Sequence, residues 1–380
     1  MNRASRSLFS DWWWTTDRGA AVAVLLLIGI GLILAVAASP AASGGPRTAG
    51  NFHFAVKQVI FAAVAVAILF RTSLLSLDGV RKVAAVVYVL AIVGSLLTLF
   101  VGTETLGARR WLDFGFLTLQ PSEFLKPAFA VLAAMILADV TPAPLPRPLM
   151  AFLLLVPALA VLAFQPDVGQ SFLLILLCVA LLFFAGLAVK WIWAIGGGTA
   201  GLAVIAYLVF PHVQRRVDQF LHPLDKGHQV NLSLNAFAKG GLLGVGPGAG
   251  TVKYRLPESN SDLIFAVAGE EFGIIVCGAI VILFGFLTVR LLLRAAKARE
   301  TFVQLAMAGL ATVLALQAFI NMAVALSMIP AKGMTLPFIS AGGSSLFAVA
   351  LTMGLVLALG RQRPEDDVRD AFAASGGPRT

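Results

Sequence analysis

Residues 253–273 read KYRLPESNSDLIFAVAGEEFG and carry four carboxylates, Glu258, Asp262, Glu270 and Glu271. That density is unusual in a chain with only 19 acidic residues among 380. The polar residues end at Asp262, and from Leu263 an apolar run continues to about residue 289, long enough to cross a bilayer core. Asp262 therefore stands at the mouth of a membrane helix. Two readings of it stay open. It is a helix N-cap, a position Asp favours, or a half-buried carboxylate suited to general-base work.

Outward from this stretch the apolar pattern repeats. Hydrophobic residues make up 59% of the chain and charged residues 12%, where soluble domains carry about a quarter charged. Mean hydropathy is +0.91. Apolar runs at 19–38, 53–70, 81–101, 121–139, 148–164, 170–188, 190–210, 264–289, 302–329 and 342–360 predict about ten transmembrane helices. The expected fold is an all-α polytopic membrane protein. It comprises a cytoplasmic segment 1–18, a ten-helix domain 19–360 and a polar tail 361–380 read as disordered. A large extracytoplasmic loop, 211–263, separates helices seven and eight. Residues 10–18 (SDWWWTTDR) hold no cleavable signal, and Trp12, Trp13 and Trp14 are expected at headgroup level.

An even number of spans puts both termini on one side. Lys and Arg concentrate there, at positions such as Arg18, Arg71, Arg81, Arg147, Arg290, Arg294 and Arg361, so that side is cytoplasmic. The net charge of +9 punctuates apolar runs instead of forming a patch, which argues for membrane topology and against nucleic acid. Cys178 and Cys277 lie inside apolar runs, as buried thiols do. His53, His212, His222 and His228 are scattered without metal-ligand spacing, so neither structural zinc nor haem is expected. The run 240–250 (GGLLGVGPGAG) lacks the Lys-Ser/Thr of a P-loop and follows no strand, which excludes nucleotide binding. It reads as a flexible turn, or as backbone N–H groups able to approach a pyrophosphate.

Ionisable groups within or beside spans cost roughly 2.5–3.5 kcal/mol each at the bilayer centre, which makes them functional candidates. In 120–126 (QPSEFLK), Glu123 and Lys126 share one helix face just after a proline start. They are a self-neutralising pair or a pair facing a cavity. In 164–169 (FQPDVG), Asp167 marks an outer helix boundary, as a cap or as part of a site. Arg109 and Arg110 lie outside, against the positive-inside trend. They suit phosphate recognition, or pair with Glu104 or Asp113. Lys332, in 330–337 (PAKGMTLP), adds an outer cation. No G-x-S-x-G elbow is present.

Segments 108–115 (ARRWLDFG), 120–126, 165–169, 227–250, 256–273 and 332–345 (KGMTLPFISAGGSS) resemble, in this order, the SEDS family of membrane glycosyltransferases (shape, elongation, division and sporulation). Residues 10–18 and 246–253 (GPGAGTVK), continuing through Leu256 and Pro257, resemble the FtsW branch more than the RodA branch. Where the family commonly has His-Thr-Asp-Phe, this chain has Asn260, Ser261, Asp262 and Leu263, so no role of the His carries over. The resemblance implies polymerisation of lipid II, an undecaprenyl-pyrophosphoryl disaccharide-pentapeptide, at the outer face of the inner membrane. Asp262 would be the catalytic base. Arg109, Arg110, Glu123, Lys126, Gln165, Asp167, Lys332 and Ser340 would bind substrate. A divalent cation, Mg²⁺ or Mn²⁺, is implied, with Asp262 and Glu123 as candidate ligands. Implied partners are a class B penicillin-binding protein transpeptidase and regulators of the division complex. A lipid II flippase, a RodA-type elongation polymerase and a non-catalytic scaffold are the alternatives. A flippase makes Glu123 and Lys126 matter more than Asp262, and a scaffold makes Asp262 dispensable.

Overall fold

The computed structural model describes residues 8–42, 53–105, 108–187, 228–256, 259–329 and 333–361, with isolated positions between 196 and 218. Helix α1 (Leu8–Thr15) precedes α2 (Arg18–Ala42), α3 (His53–Ser73), α4 (Leu77–Val101), α5 (Ser122–Ala138), α6 (Arg147–Phe164) and α7 (Val168–Phe184). After α8 (His228–Gly240) and a 3-10 turn (Val252–Tyr254) come α9 (Ile264–Lys297), α10 (Thr301–Ala325) and α11 (Gly343–Leu359). Nine of the ten expected spans are helices among the described residues. The tenth, 190–210, falls outside them except at isolated positions, as do 219–227 of the expected loop and everything beyond Arg361. Helices α2, α3, α4, α6, α9 and α10 have the length and apolar content to cross a membrane, and α7 and α11 are shorter and equally apolar.

Helices α5 and α10 form the centre. α5 packs against α4, α6, α7, α10 and α11. The apolar stretch of α10 is 72% buried inside the protein, against 28% for α4, α6 and α9, which turn most of their apolar surface to lipid. α11 has no polar face and is buried all round, packed along α3.

Two features depart from the all-helical expectation. The outer loop between α4 and α5 forms a small antiparallel sheet, β1 (Thr103–Thr105), β2 (Ala108–Asp113) and β3 (Thr118–Leu119), in that order. The second departure is in α9. Its 34 residues would run about 51 Å as one rod, beyond the ~30 Å bilayer core. Instead it breaks at Gly273, whose φ of 76° and ψ of −179° only glycine adopts freely. The glycine-rich turn takes up the freed backbone groups. Ile274 and Ile275 donate to the carbonyls of Gly241 and Leu242 at 3.0 and 3.4 Å, and Val245 and Gly246 donate to those of Glu270 and Glu271 at 3.0 Å each. A membrane helix interrupted in this way needs such partners.

The bundle has two chemically different ends. At the Lys/Arg-rich end, Asp17 is 3% exposed and accepts from Nε of Arg290 at 2.8 and 3.0 Å. It also lies 2.6 Å from Nε of Arg294 and accepts from the Ala20 N–H at 3.1 Å. Arg361 donates to Thr15 Oγ1 at 2.8 Å. Trp14 is 63% exposed, as expected of a headgroup anchor, whereas Trp12 is buried and donates Nε1 to Ser73 Oγ at 2.6 Å. The opposite end holds Asp262 and the loop that leads into α11.

Candidate active site

The first turn of α5 carries Glu123, and Lys126 follows on the same face. Both are buried. Lys126 Nζ donates to Glu123 Oε2 at 2.7 Å and to Gln317 Oε1 of α10 at 3.4 Å. The other Glu123 oxygen accepts from the Gln170 amide of α7. Burying a lone charge costs several kcal/mol, and each charge here neutralises the other and gains a neutral partner on a neighbouring helix. Gln317 then reaches Thr335 at 3.5 Å, and the Thr335 hydroxyl meets that of Ser345. The pair is therefore wired to the stretch 333–345.

Asp262 lies beside that stretch. The cap position of α9 is Leu263, and no side chain makes a cap hydrogen bond there. The backbone around Asp262 is fixed from three directions. Asn321 Nδ2 donates to the Asp262 carbonyl at 2.9 Å and to the Met334 carbonyl at 2.6 Å. Ser340 Oγ donates to the Ser261 carbonyl at 2.6 Å, and Ala341 N–H to that of Asn260 at 2.8 Å. Ser340 is held in turn by the Leu336 N–H, and its carbonyl accepts from Gln58 at 3.3 Å. The side chain of Asp262 is half-buried, and Gly333 crosses it so closely that a Cβ there would sit 3.3 Å from Oδ2. Gly333 has a φ of 65°, a second position where a side chain would be strained. Lys332, the residue before it, lies outside the described residues.

A third cluster adjoins the Glu123–Lys126 pair through Gln170. Asp167 caps α7 by accepting from the Gln170 N–H at 3.2 Å. Its other oxygen lies 3.4 Å from Gln120 Nε2 and 3.8 Å from Arg110 Nη1. Burial pushes the Asp167 carboxyl up, while Arg110 and the Gln170 N–H pull it back. Arg110 also donates to the carbonyls of Gln165 and Pro166 at 3.0 and 2.6 Å. Gln165 Nε2 donates to the Ser95 carbonyl at 3.0 Å and to Thr98 Oγ1 at 2.6 Å. Arg109 behaves differently, because successive side chains on a strand point to opposite faces. It pairs across the sheet with Glu104 at 3.6 Å and is half exposed. The two adjacent guanidiniums do not converge on one ligand.

Glu270 and Glu271, which share the stretch with Asp262, have another task. Both are fully buried. Glu270 accepts from the N–H groups of Thr251, Val252 and Lys253 at 2.7–2.9 Å. Glu271 pairs with the buried Lys253 ammonium, which also donates to the Ala37 carbonyl of α2 at 2.8 Å. Within the glycine-rich run, Val245, Gly246 and Gly248 spend their amides on Glu270 and Glu271, and the run forms a hydrogen-bonded turn against the broken helix.

Among the described residues no group of three or more His, Cys, Asp or Glu side chains is gathered as a metal cage. Glu123 does not fit the ligand role, since both its oxygens are taken by Lys126 and Gln170. Asp262, the other carboxylate of the expected pair, is half-buried at the start of α9.

The structure therefore brings Glu123, Lys126, Asp167, Arg110 and Gln165 into one network, and Asp262 and Ser340 into a second that touches it through α10. Gln170, Gln317 and Asn321 were not among the expected residues, yet they connect the rest. Gln317 and Asn321 are amides four apart in the otherwise apolar second half of α10, 313–325, a signal present in the sequence.

These features define a multi-pass membrane protein with a polar, hydrogen-bonded cluster at the outer end of a helical bundle. The chain belongs to the SEDS family: the FtsW/RodA/SpoVE family model, described as a cell cycle protein, matches residues 18–365. It is 43% identical over 377 residues to the probable peptidoglycan glycosyltransferase FtsW of Caulobacter vibrioides (strain NA1000 / CB15N), covering 98% of this chain and 95% of that one. It is 32% identical over 359 residues to stage V sporulation protein E of Bacillus subtilis (strain 168), covering 90% and 95%. Among solved structures it is similar to a chain from a peptidoglycan synthase complex that coordinates polymerization and crosslinking. There the TM-score is 0.77 at 26% identity, covering 92% of this chain and 98% of that one. It is also similar to the rod shape determining protein RodA of Thermus thermophilus, with a TM-score of 0.70 at 26% identity, covering 93% and 99%.

Proposed function

We propose that this chain is a peptidoglycan glycosyltransferase of the FtsW type, polymerising lipid II at the outer face of the cytoplasmic membrane for septal synthesis. Relatives named for that activity align along almost its full length. The observation that carries the residue assignment is the set of hydrogen bonds that Asn321, Ser340 and Ala341 make to the backbone at 260–262. A general base needs such fixed placement.

Asp262 takes the proton from the acceptor sugar's 4-hydroxyl as that oxygen attacks the donor's anomeric carbon. The bond from that carbon to the pyrophosphate oxygen breaks, undecaprenyl pyrophosphate leaves, and the proton passes from Asp262 to solvent. The leaving group carries negative charge and needs cations. Lys126 is enclosed by Glu123 and Gln317, and Arg110 by the carbonyls of Gln165 and Pro166. Arg109, half exposed, and Lys332, next to the glycine that crosses Asp262, suit the pyrophosphate better. Magnesium typically binds one or two carboxylates together with substrate phosphates, so a cation would arrive with the pyrophosphate. A partner that crosslinks, a class B penicillin-binding protein, and division-complex regulators complete the reading. The similarity to a chain of a polymerising and crosslinking complex supports this.

The test is polymerisation of purified lipid II by the full chain with its partner, the partner's crosslinking blocked. Asp262→Asn should lose about 10²- to 10⁴-fold in rate while remaining folded. Equal polymerisation by the variant removes Asp262 from the chemistry. Lipid II crossing vesicles with no polymer from either protein makes the chain a flippase.

A further inference from the structure

A groove of about 360 Å³ opens between α2 and α9 at the Lys/Arg-rich end of the bundle, far along both helices from the site above. Val22, Ala23 and Leu26 line one wall, and Leu283 and Phe286 the other. From Arg18 to Leu26 the groove follows α2 for roughly 12 Å, close to the depth of one leaflet, which is about 15 Å of a 30 Å core. Its walls are apolar. Its cytoplasmic mouth is cationic.

Three arginines stand at that mouth. Arg18 lines the groove itself, donates Nε to the Trp13 carbonyl at 3.2 Å and stacks 3.8 Å above the Trp14 ring. Trp14 is exposed, which sets this level at the headgroups. Arg290 lies flat on Gly19, where a Cβ would meet its guanidinium at 2.6 Å, and its guanidinium carbon is 5.6 Å from the Phe286 ring centre. Arg294 is beside it. Asp17 is the one carboxylate in ion-pair contact with Arg290 and Arg294 among the described residues, and it binds both through Nε. Two guanidiniums against one carboxylate leave one positive charge in excess, and Arg18 adds a second.

We propose that this groove binds an anionic phospholipid of the inner leaflet, with an acyl chain between α2 and α9 and the phosphate at Arg18 and Arg290. Basic pockets between membrane helices on the cytoplasmic side recognise lipid headgroups in this way. The bound lipid bridges the first span, α2, to α9, the span that follows Asp262. This assignment is independent of the catalytic reading, because it rests on the opposite end of the bundle.

The test uses the full chain, delipidated in detergent and offered an equimolar mixture of phosphatidylglycerol and phosphatidylethanolamine, with retained lipid read by native mass spectrometry. The wild type should retain phosphatidylglycerol preferentially, and Arg18→Gln should weaken that preference about five-fold, the worth of one basic residue near the surface. Leu26→Trp, at a position 52% exposed, should fill the groove and reduce retention without lowering the melting temperature. A photo-crosslinker at Leu26 in membranes should capture lipid. Equal retention of the two lipids, or an unchanged preference in Arg18→Gln, overturns the proposal. Complete displacement by inorganic phosphate makes the mouth a free-anion site and overturns it too. Capture of a partner's transmembrane helix in place of lipid does the same.

Discussion

Replacing Lys126 by Met removes an ammonium that is 2% exposed and leaves the Glu123 carboxylate with the Gln170 amide as its remaining described partner. Stranding a buried charge in this way costs about 3–5 kcal/mol. Glu123→Gln strands the ammonium instead, with Gln317 as its acceptor, and should cost a similar amount. The double variant removes both charges at nearly constant volume, and neutral replacement of a buried pair is often close to harmless. The four proteins therefore form a cycle in which the double variant should fall far short of the sum of the singles, about 6–10 kcal/mol, so the coupling should exceed the roughly 0.5–3 kcal/mol usual for residues in contact. Thermal or denaturant unfolding of the full chain in detergent measures it. Lipid II polymerisation by the same four proteins adds a second readout. Stability should recover in the double variant, while the rate stays at least about tenfold down. That is a barrier raised by about 1.4 kcal/mol, expected because Gln170 and Gln317 lose the charges that orient them. Additive destabilisation, with coupling under about 0.5 kcal/mol, would refute the idea that the two charges compensate each other.

Asn321→Ala frees the carbonyls of Asp262 and Met334 at a cost of about 1–3 kcal/mol for the buried groups left unpaired. Its kcat for polymerisation should fall about tenfold or more with KM little changed, and an unaltered kcat rules out a positioning role. Gly273→Ala forces a left-handed φ on a residue whose Cβ would sit 2.3 Å from the Leu242 carbonyl oxygen, so it should lose more than about 1 kcal/mol. Gly278→Ala, five residues on and facing open space, should gain up to about 1 kcal/mol. Melting curves of the two proteins check both signs, and equal behaviour refutes a special role for the break.

Hydropathy made the membrane helices legible, because a spanning segment has to be apolar over a length that the bilayer sets. Boundaries blur where cytoplasmic helix ends carry charge, as α9 does in running on to Lys297. The break at Gly273 was hidden, since a glycine in an apolar run does not announce its φ and its partners lie in the turn at 241–246. Asp262, Asp167 and the pair of Glu123 and Lys126 stood out because charge near lipid is costly. Carboxylate density alone misled in part: among the described residues of the stretch, Glu270 and Glu271 are fully buried and serve the turn at 248–253, and Asp262 is half-buried. The sequence leaves Arg109 and Arg110 open between phosphate recognition and pairing with Glu104 or Asp113; Arg109 pairs with Glu104, and strand alternation, invisible without the sheet, turns Arg110 to Asp167. The neutral amides Gln170, Gln317 and Asn321 carry no charge to draw notice, and their importance comes from neighbours brought together only by packing.

Asp17 and Arg290 are 273 positions apart in the chain. At ribosomal speeds of about 5–20 residues per second, roughly 14–55 s separate their synthesis. Throughout that interval the first span sits in the membrane with an acidic residue at its entrance whose counter-ions do not yet exist. Biogenesis of this protein is therefore a timed rendezvous. Until the eighth expected span emerges, the partner in this structure that the Asp17 carboxylate can already have is the Ala20 N–H of its own helix.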